Sequence, residues 1–281
     1  MKNLVSLVCL LLICSCPVTA AYKSFCSDDW ACAGAEKNAS GEINYWMENQ
    51  KPYPITMTLT VRTSNLKSIT GEVKRKWEIT RVIAGQERLQ VLQLRKVQDD
   101  KLTRDRFEFD WIPGDKNAQH DEQYRYTLPF APNRDYRVVQ GFNGNYSHRG
   151  ASRYALDFAM PIGSPIHAAR AGVVIDLESG NWQGGASRRF AKYANYIVLL
   201  HDDGTTGEYY HLKQHGVAVS LGESVSVGQL IGYSGNTGFS SLPHLHFAVY
   251  KARSHGQYQS LPIQFNRPLN TWKRRGLGLS D

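Results

Sequence analysis

The sequence lacks the signatures of several large protein classes. Cysteine is scarce: five in 281 residues, with Cys9, Cys14 and Cys16 inside the first twenty and none beyond Cys32. The bulk of the chain therefore holds neither a thiol nucleophile nor a cysteine-ligated zinc. No stretch approaches the ~20 consecutive apolar residues that a membrane-spanning helix needs. Helical periodicity is nearly absent and no short repeat runs through the text, which excludes coiled-coil and collagen-like architectures. A serine-hydrolase elbow is missing as well, because Gly232-Tyr233-Ser234-Gly235 runs into Asn236 where a glycine is required. Acid is in deficit, with 25 acidic against 33 basic side chains and a net charge of +8. That charge favours anionic partners. Basic and aromatic residues show no binding-module arrangement, so no nucleic-acid partner is expected. What remains, 42% hydrophobic and 21% charged, describes a folded globular chain long enough for about two domains.

The first twenty residues read as an export signal. Lys2 precedes an apolar run from Leu4 to Ile13, then Pro17 and the small-residue triplet Val18-Thr19-Ala20, the pattern of a cleaved secretory leader. A lipoprotein anchored at Cys14 or Cys16 is the weaker reading, because Ile13 directly before Cys14 and Cys14 two places before Cys16 are poor lipobox residues. A soluble exported protein, periplasmic or secreted, is expected. Removing the leader takes away one of the 33 basic residues and none of the 25 acidic ones, leaving +7. It also leaves only Cys26 and Cys32. In an oxidising compartment this pair can close a small loop, worth about 2 kcal/mol.

From Tyr53 to Leu128 the text alternates as strands do. Ile55 to Val61, Trp77 to Val82, Leu89 to Leu94 and Tyr124 to Leu128 predict a small antiparallel β domain of four to six strands. Around Leu128-Pro129-Phe130-Ala131-Pro132 the pattern changes, as at a linker. Beyond it, short strands and frequent glycines predict a second all-β domain with tight turns.

The most informative segment is Pro243-His244-Leu245-His246-Phe247. On a strand, residues two apart share a face, so His244 and His246 point into one pocket while Leu245 and Phe247 pack the other side. Such a pair can bind a metal and offer a second imidazole to a water, but it needs partners. Three stand upstream. Asp157 sits in the apolar stretch Tyr154 to Pro161, where a carboxylate has to be paired or coordinated. His148 precedes it, and a turn through Arg149-Gly150-Ala151-Ser152 brings the two together. His211 ends another strand, Glu208-Tyr209-Tyr210-His211, with Tyr209 on its own face. Two histidines, one carboxylate and an open fourth position form the ligand set of a catalytic zinc site. Asn181, in the irregular segment Asn181-Trp182-Gln183-Gly184-Gly185, is expected to face substrate. His120, His167, His201, His215 and His255 lack comparable partners and read as surface or structural residues.

With these residues in place, the chain resembles the lysostaphin-type (LytM-like) zinc metallopeptidases, exported enzymes that cleave peptide bonds in bacterial peptidoglycan. The resemblance spans residues 129–250. It runs through Ser147-His148, Arg153 to Pro161, Gly163-Ser164-Pro165, Ala168-Ala169-Arg170, Gly172-Val173-Val174, Tyr209 to Leu212, Ser234 to Gly238 and Pro243 to Phe247. It implies one zinc held by His148, Asp157 and His246, with His211 and His244 as the catalytic histidines and Tyr209 in the substrate groove. The architecture expected is all-β: a leader at 1–20, an N-terminal antiparallel β domain at 21–128, a lysostaphin-type catalytic domain with an open groove at 129–252, and a C-terminal extension at 253–281. The expected activity is hydrolysis of peptidoglycan cross-links or stem peptides by a monomer without a transmembrane segment. Two positions depart from the family pattern. Many members carry the first histidine three residues before the aspartate, where this chain has Arg153, so His148 requires a longer ligand hairpin. Leu242 stands where a glycine often precedes Pro-His-x-His. The competing reading is a catalytically inactive member that binds cell wall or activates another hydrolase. All five positions of the set are filled, which favours the enzyme.

Overall fold

Ile55–Ser64 alternates isoleucine, methionine, leucine and valine with threonine, and both phases are buried. The reason is that both faces of this strand are covered. The apolar phase, Ile55, Met57, Leu59 and Val61, enters the core of the N-terminal half. The threonines face the second half: Thr56 Oγ1 donates to Gly114 O at 2.9 Å, and His255 N donates to Thr58 Oγ1 at 2.8 Å. The strand lies between Lys76–Ile83 and Arg104–Pro113, antiparallel to each. This computed structural model describes residues 21–270, so the leader at 1–20 and the basic triplet Lys273-Arg274-Arg275 lie outside the described residues.

A second sheet covers the other side of that core, in the order Ala21–Ser27, Ala31–Lys37, Ile43–Asn49, Glu87–Lys96, Leu66–Ser68. The N-terminal half is thus two facing antiparallel sheets. Three of these strands precede Tyr53, where the alternating text begins. The middle one is made of small residues, Ala31-Cys32-Ala33-Gly34-Ala35, because the Trp46 ring lies on Gly34, where an added Cβ would sit 2.2 Å from it. Small residues carry no β-branched signal. Cys26 and Cys32 face each other across the first hairpin and are joined by a disulfide.

The second half is built on an eight-stranded sheet. Its main path runs Val138–Gln140, Leu156–Phe158, Leu245–Ala252, Thr206–Tyr210, Tyr196–Leu200, Gly172–Glu178, Ser224–Val225. One face carries Phe158, Ile197, Tyr209 and Phe247 into the larger core. The opposite face does two jobs. At one end Ile175 and Val198 join the core of the N-terminal half; at the other, Tyr210 and His246 line an open groove.

Tyr126, Leu128 and Phe130 belong to the second core, so the change of core falls between Pro113 and Arg125, upstream of the expected linker. The described part of the tail is integrated too. Tyr258–Ser260 pairs with Leu245–Ala252, and Gln264–Phe265 pairs in parallel with Arg125–Tyr126, flanking the expected strand at Leu261 to Ile263. Among the described residues, no helix is long and apolar enough to cross a membrane.

Candidate metal site and its groove

Register places the first two groups. Asp157 lies directly opposite His246 in the antiparallel pairing of Leu156–Phe158 with Leu245–Ala252, and Tyr210 lies opposite His246 on the other side. His148 arrives from the loop between Val138–Gln140 and Leu156–Phe158, which contains a short 3-10 turn at Gly150–Ser152. The longer hairpin closes on the aspartate: His148 is fully buried and its Nε2 lies 3.1 Å from Asp157 Oδ1. Arg153, at the family's usual histidine position, turns outward and donates from Nε to Asn143 Oδ1 at 2.7 Å.

His246 Nδ1 is 2.9 Å from the same Asp157 oxygen, and one donor atom from each of His148, Asp157 and His246 lies within 4.8 Å of the others. The second Asp157 oxygen accepts from Gln140 Nε2 at 2.9 Å. Burial alone would raise the Asp157 pKa; the imidazoles of His148, His246 and His244 around it outweigh burial and hold the carboxylate well below the usual range.

Tautomers decide what this cluster can hold. The carbonyl of Gly141 can only accept, so His148 Nδ1–H donates to it at 2.9 Å and Nε2 keeps a lone pair. His244 Nδ1–H donates to Leu242 O at 2.7 Å, which leaves its Nε2 facing Asp157 Oδ1 at 3.7 Å. Lone pairs of imidazoles therefore converge on a carboxylate oxygen in a buried place, an arrangement that repels itself without a cation between the groups. Tetrahedral zinc with bonds of about 2.0–2.1 Å holds neighbouring ligand atoms roughly 3.3 Å apart. The donor set fits.

His211 and His244 lie beside this cluster with ring centroids 4.6 Å apart and ring planes tilted by 46°. His211 Nδ1–H donates to Thr237 O at 2.7 Å, so its Nε2 is also a free acceptor. Burial, with a lesser contribution from His244 and His246, pushes the His211 pKa down to about 3, and burial lowers His244 as well. Both imidazoles stay neutral at ordinary pH. The Ser234 to Gly238 segment holds them. Gly235 bridges to His244, while Thr237 Oγ1 accepts from Asn195 N and donates to Leu212 O.

Two expected substrate residues lie elsewhere. Tyr209 is fully buried, packs on Phe247 in the core, and its hydroxyl accepts from Ala169 N at 2.8 Å; Tyr210 lines the groove instead. Asn181 is not among the groove-lining residues, and its backbone is tied to the Asn195 side chain. Gln140, Glu208, Tyr210 and Tyr250 are groove residues that sequence reasoning missed. The alternation of Thr206–Tyr210, once anchored on a core residue, was the available signal for two of them. Of the remaining histidines, His201 is buried and bonded through Nδ1 to Ala171 O, His120 approaches Asp203 at 3.6 Å, and His255 bridges the two halves.

Residues 151–260 match the model of peptidase family M23. This stretch is similar to the M23 peptidase domain. His148 lies just before the matched residues. Among curated relatives, an uncharacterized metalloprotease of Buchnera aphidicola is 35% identical over 129 residues, 46% of this chain and 29% of that protein. Lysostaphin of Staphylococcus simulans is 39% identical over 99 residues, covering 35% of this chain and 18% of its own length. The peptidoglycan DD-endopeptidase ShyA of Vibrio cholerae is 35% identical over 129 residues, 46% of this chain and 25% of that protein. The chain therefore spans less than a third of the length of each of these relatives.

Proposed function

We propose that this chain is an exported zinc-dependent endopeptidase that hydrolyses peptide bonds in peptidoglycan cross-links or stem peptides. The observation that carries the reading is the convergence of His148 Nε2, His246 Nδ1 and Asp157 Oδ1 beside two neutral imidazoles whose Nε2 atoms remain free. The M23 match and the peptidoglycan endopeptidases among the relatives support the substrate class. In this reading His148, Asp157 and His246 hold one zinc, and the leader at 1–20 directs a monomer to the periplasm or medium.

Zinc, when bound, supplies a Lewis acid that lowers the pKa of a water toward neutrality and polarises a carbonyl. The protein's own part follows from its hydrogen bonds. One of His211 and His244 accepts the proton of the attacking water at Nε2, which its bonded Nδ1–H keeps available. The other donates to the developing oxyanion or to the leaving amine once it has gained a proton. Tyr210, Phe239 and Leu242 wall the groove in which a peptide would lie.

The test separates holding from cutting. Metal analysis of the purified protein should find one zinc, and mass analysis should find peptidoglycan fragments released. Asp157→Ala and His246→Ala should lose both. His244→Ala and His211→Ala should keep the metal and lose turnover by about 10²–10⁴-fold. Zinc and activity retained in Asp157→Ala would sink the ligand assignment. Zinc bound without any fragment released by the unaltered protein would favour an inactive scaffold.

A further inference from the structure

Among the described residues, the groove of this basic protein, a cleft of about 390 Å³, is lined by no lysine or arginine, although the chain carries a net +8. Two carboxylates are present, and Asp157 is committed to the histidine cluster. The other is Glu208. It lies in the middle of Thr206–Tyr210, opposite Ala248, on the face that also carries Tyr210 and His246.

Among the described residues, no cationic side chain pairs with it. Its hydrogen bonds come from hydroxyls: Thr206 Oγ1 donates at 3.3 Å and the Tyr210 side chain also contributes. The charge that acts on it, among the described residues, is that of Asp176, another acid. Burial pushes its pKa up to about 7, the response of a carboxylate short of a counter-ion. Aromatic rings surround it. Tyr250 and Tyr258 meet edge to face at 4.9 Å, and both line the same groove as Tyr210. After burial, the charge of Glu208 is the next cause raising all three phenols. A carboxylate among aromatic faces is an acceptor for a small cation, through charge, hydrogen bonds and the negative ring faces together.

We propose that Glu208, walled by Tyr210, Tyr250 and Tyr258, is a subsite for a primary ammonium group carried by the peptide substrate. The assignment rests on the peptidase reading and adds a selectivity to it: one end of the groove takes an amine, on a side chain or at a free N-terminus, and positions the peptide against the histidine cluster. Acetylation removes that charge and adds bulk, so an acetylated peptide loses the contact.

The experiment uses zinc-loaded protein and synthetic cross-linked peptides in matched forms: unmodified, side-chain-acetylated and N-terminally acetylated. The unaltered protein should favour one free amine by about tenfold in kcat/KM, and the arm that loses this preference identifies the amine's source. In Glu208→Gln the ratio between free and acetylated forms should fall to within about twofold of unity. An unchanged ratio in Glu208→Gln overturns the proposal. A second arm needs no turnover. Nα-acetyl-lysinamide, followed by NMR, should shift the Tyr210 and Tyr258 rings in the unaltered protein and leave them unmoved in Glu208→Gln; equal shifts in both overturn the subsite. Probe binding through Glu208 in a protein that cuts no peptide would keep the subsite and remove the peptidase reading.

Discussion

At His211 the backbone turns left-handed, with φ of 69°, directly after Thr206–Tyr210 ends. A continued strand would send His211 into the core with Tyr209 and leave only Tyr210 at the groove. The turn puts both Tyr210 and His211 there, so the alternation that sends Tyr209 into the core does not take His211 with it. Glu208 has the opposite relation to its strand, since it stays in register and brings a carboxyl under partial cover. Its folded pKa, about 7, lies above the ordinary 4.5, so the folded state binds this proton more tightly than the unfolded chain. Stability from this group is therefore fully present below about pH 4.5 and is lost as pH rises through 7, by up to roughly 3 kcal/mol. Urea unfolding should find Glu208→Gln equal to the parent near pH 4.5 and more stable at pH 8. Equal midpoints at both pH values would mean that the carboxyl is solvated rather than strained.

At the scale of elements, Ser234 to Gly238 shows how a turn can serve chemistry. Gly238 has φ of 78°, and a Cβ there would lie 2.6 Å from Ala194 Cβ, so only glycine fits. The residue before it, Thr237, receives the His211 Nδ1–H. Gly238→Ala should destabilise the fold by about 1–3 kcal/mol and lower kcat more than KM changes, while zinc content holds. Calorimetry, metal analysis and peptide kinetics on one preparation would check this; loss of the metal would show that the turn supports the ligand cluster rather than His211.

The same elements mark how far the sequence was readable. His244 and His246 were legible because a regular strand fixes their face, and Asp157 because a carboxylate in an apolar run must have partners. The all-β architecture followed from alternating and glycine-rich text. Of the three strands before Tyr53, Ala31–Lys37 was hidden because its residues against the Trp46 ring are alanine and glycine. Tyr210 was hidden by the left-handed turn at His211, whose backbone conformation no side-chain pattern announces. Gln140 reaches Asp157 only through the pairing of Val138–Gln140 with Leu156–Phe158, a relation between segments 17 residues apart.

Across the whole molecule, charge and chemistry occupy different places. The central sheet gives one face to its own core and divides the other between the N-terminal half and the groove, and among the described residues none before Val139 lines that groove. The basic surplus lies outside it, with Arg188, Arg189 and Lys192 exposed on the 3-10 turn Arg188–Tyr193, whose Ala191 and Ala194 reach the rim. Such charges attract an anionic polymer over distances that salt cuts to about 8 Å at physiological ionic strength. They do little for a neutral peptide already in the groove. Raising sodium chloride from 0.05 to 0.5 M should therefore slow the solubilisation of intact peptidoglycan severalfold, while kcat/KM for a short cross-linked peptide with its amines acetylated and its carboxyls amidated should stay within about twofold. Turbidity clearing and peptide hydrolysis, measured on one preparation, give the comparison. A parallel fall in both would mean that the surface cations contact the reacting peptide itself, and that attraction and cutting are not separate.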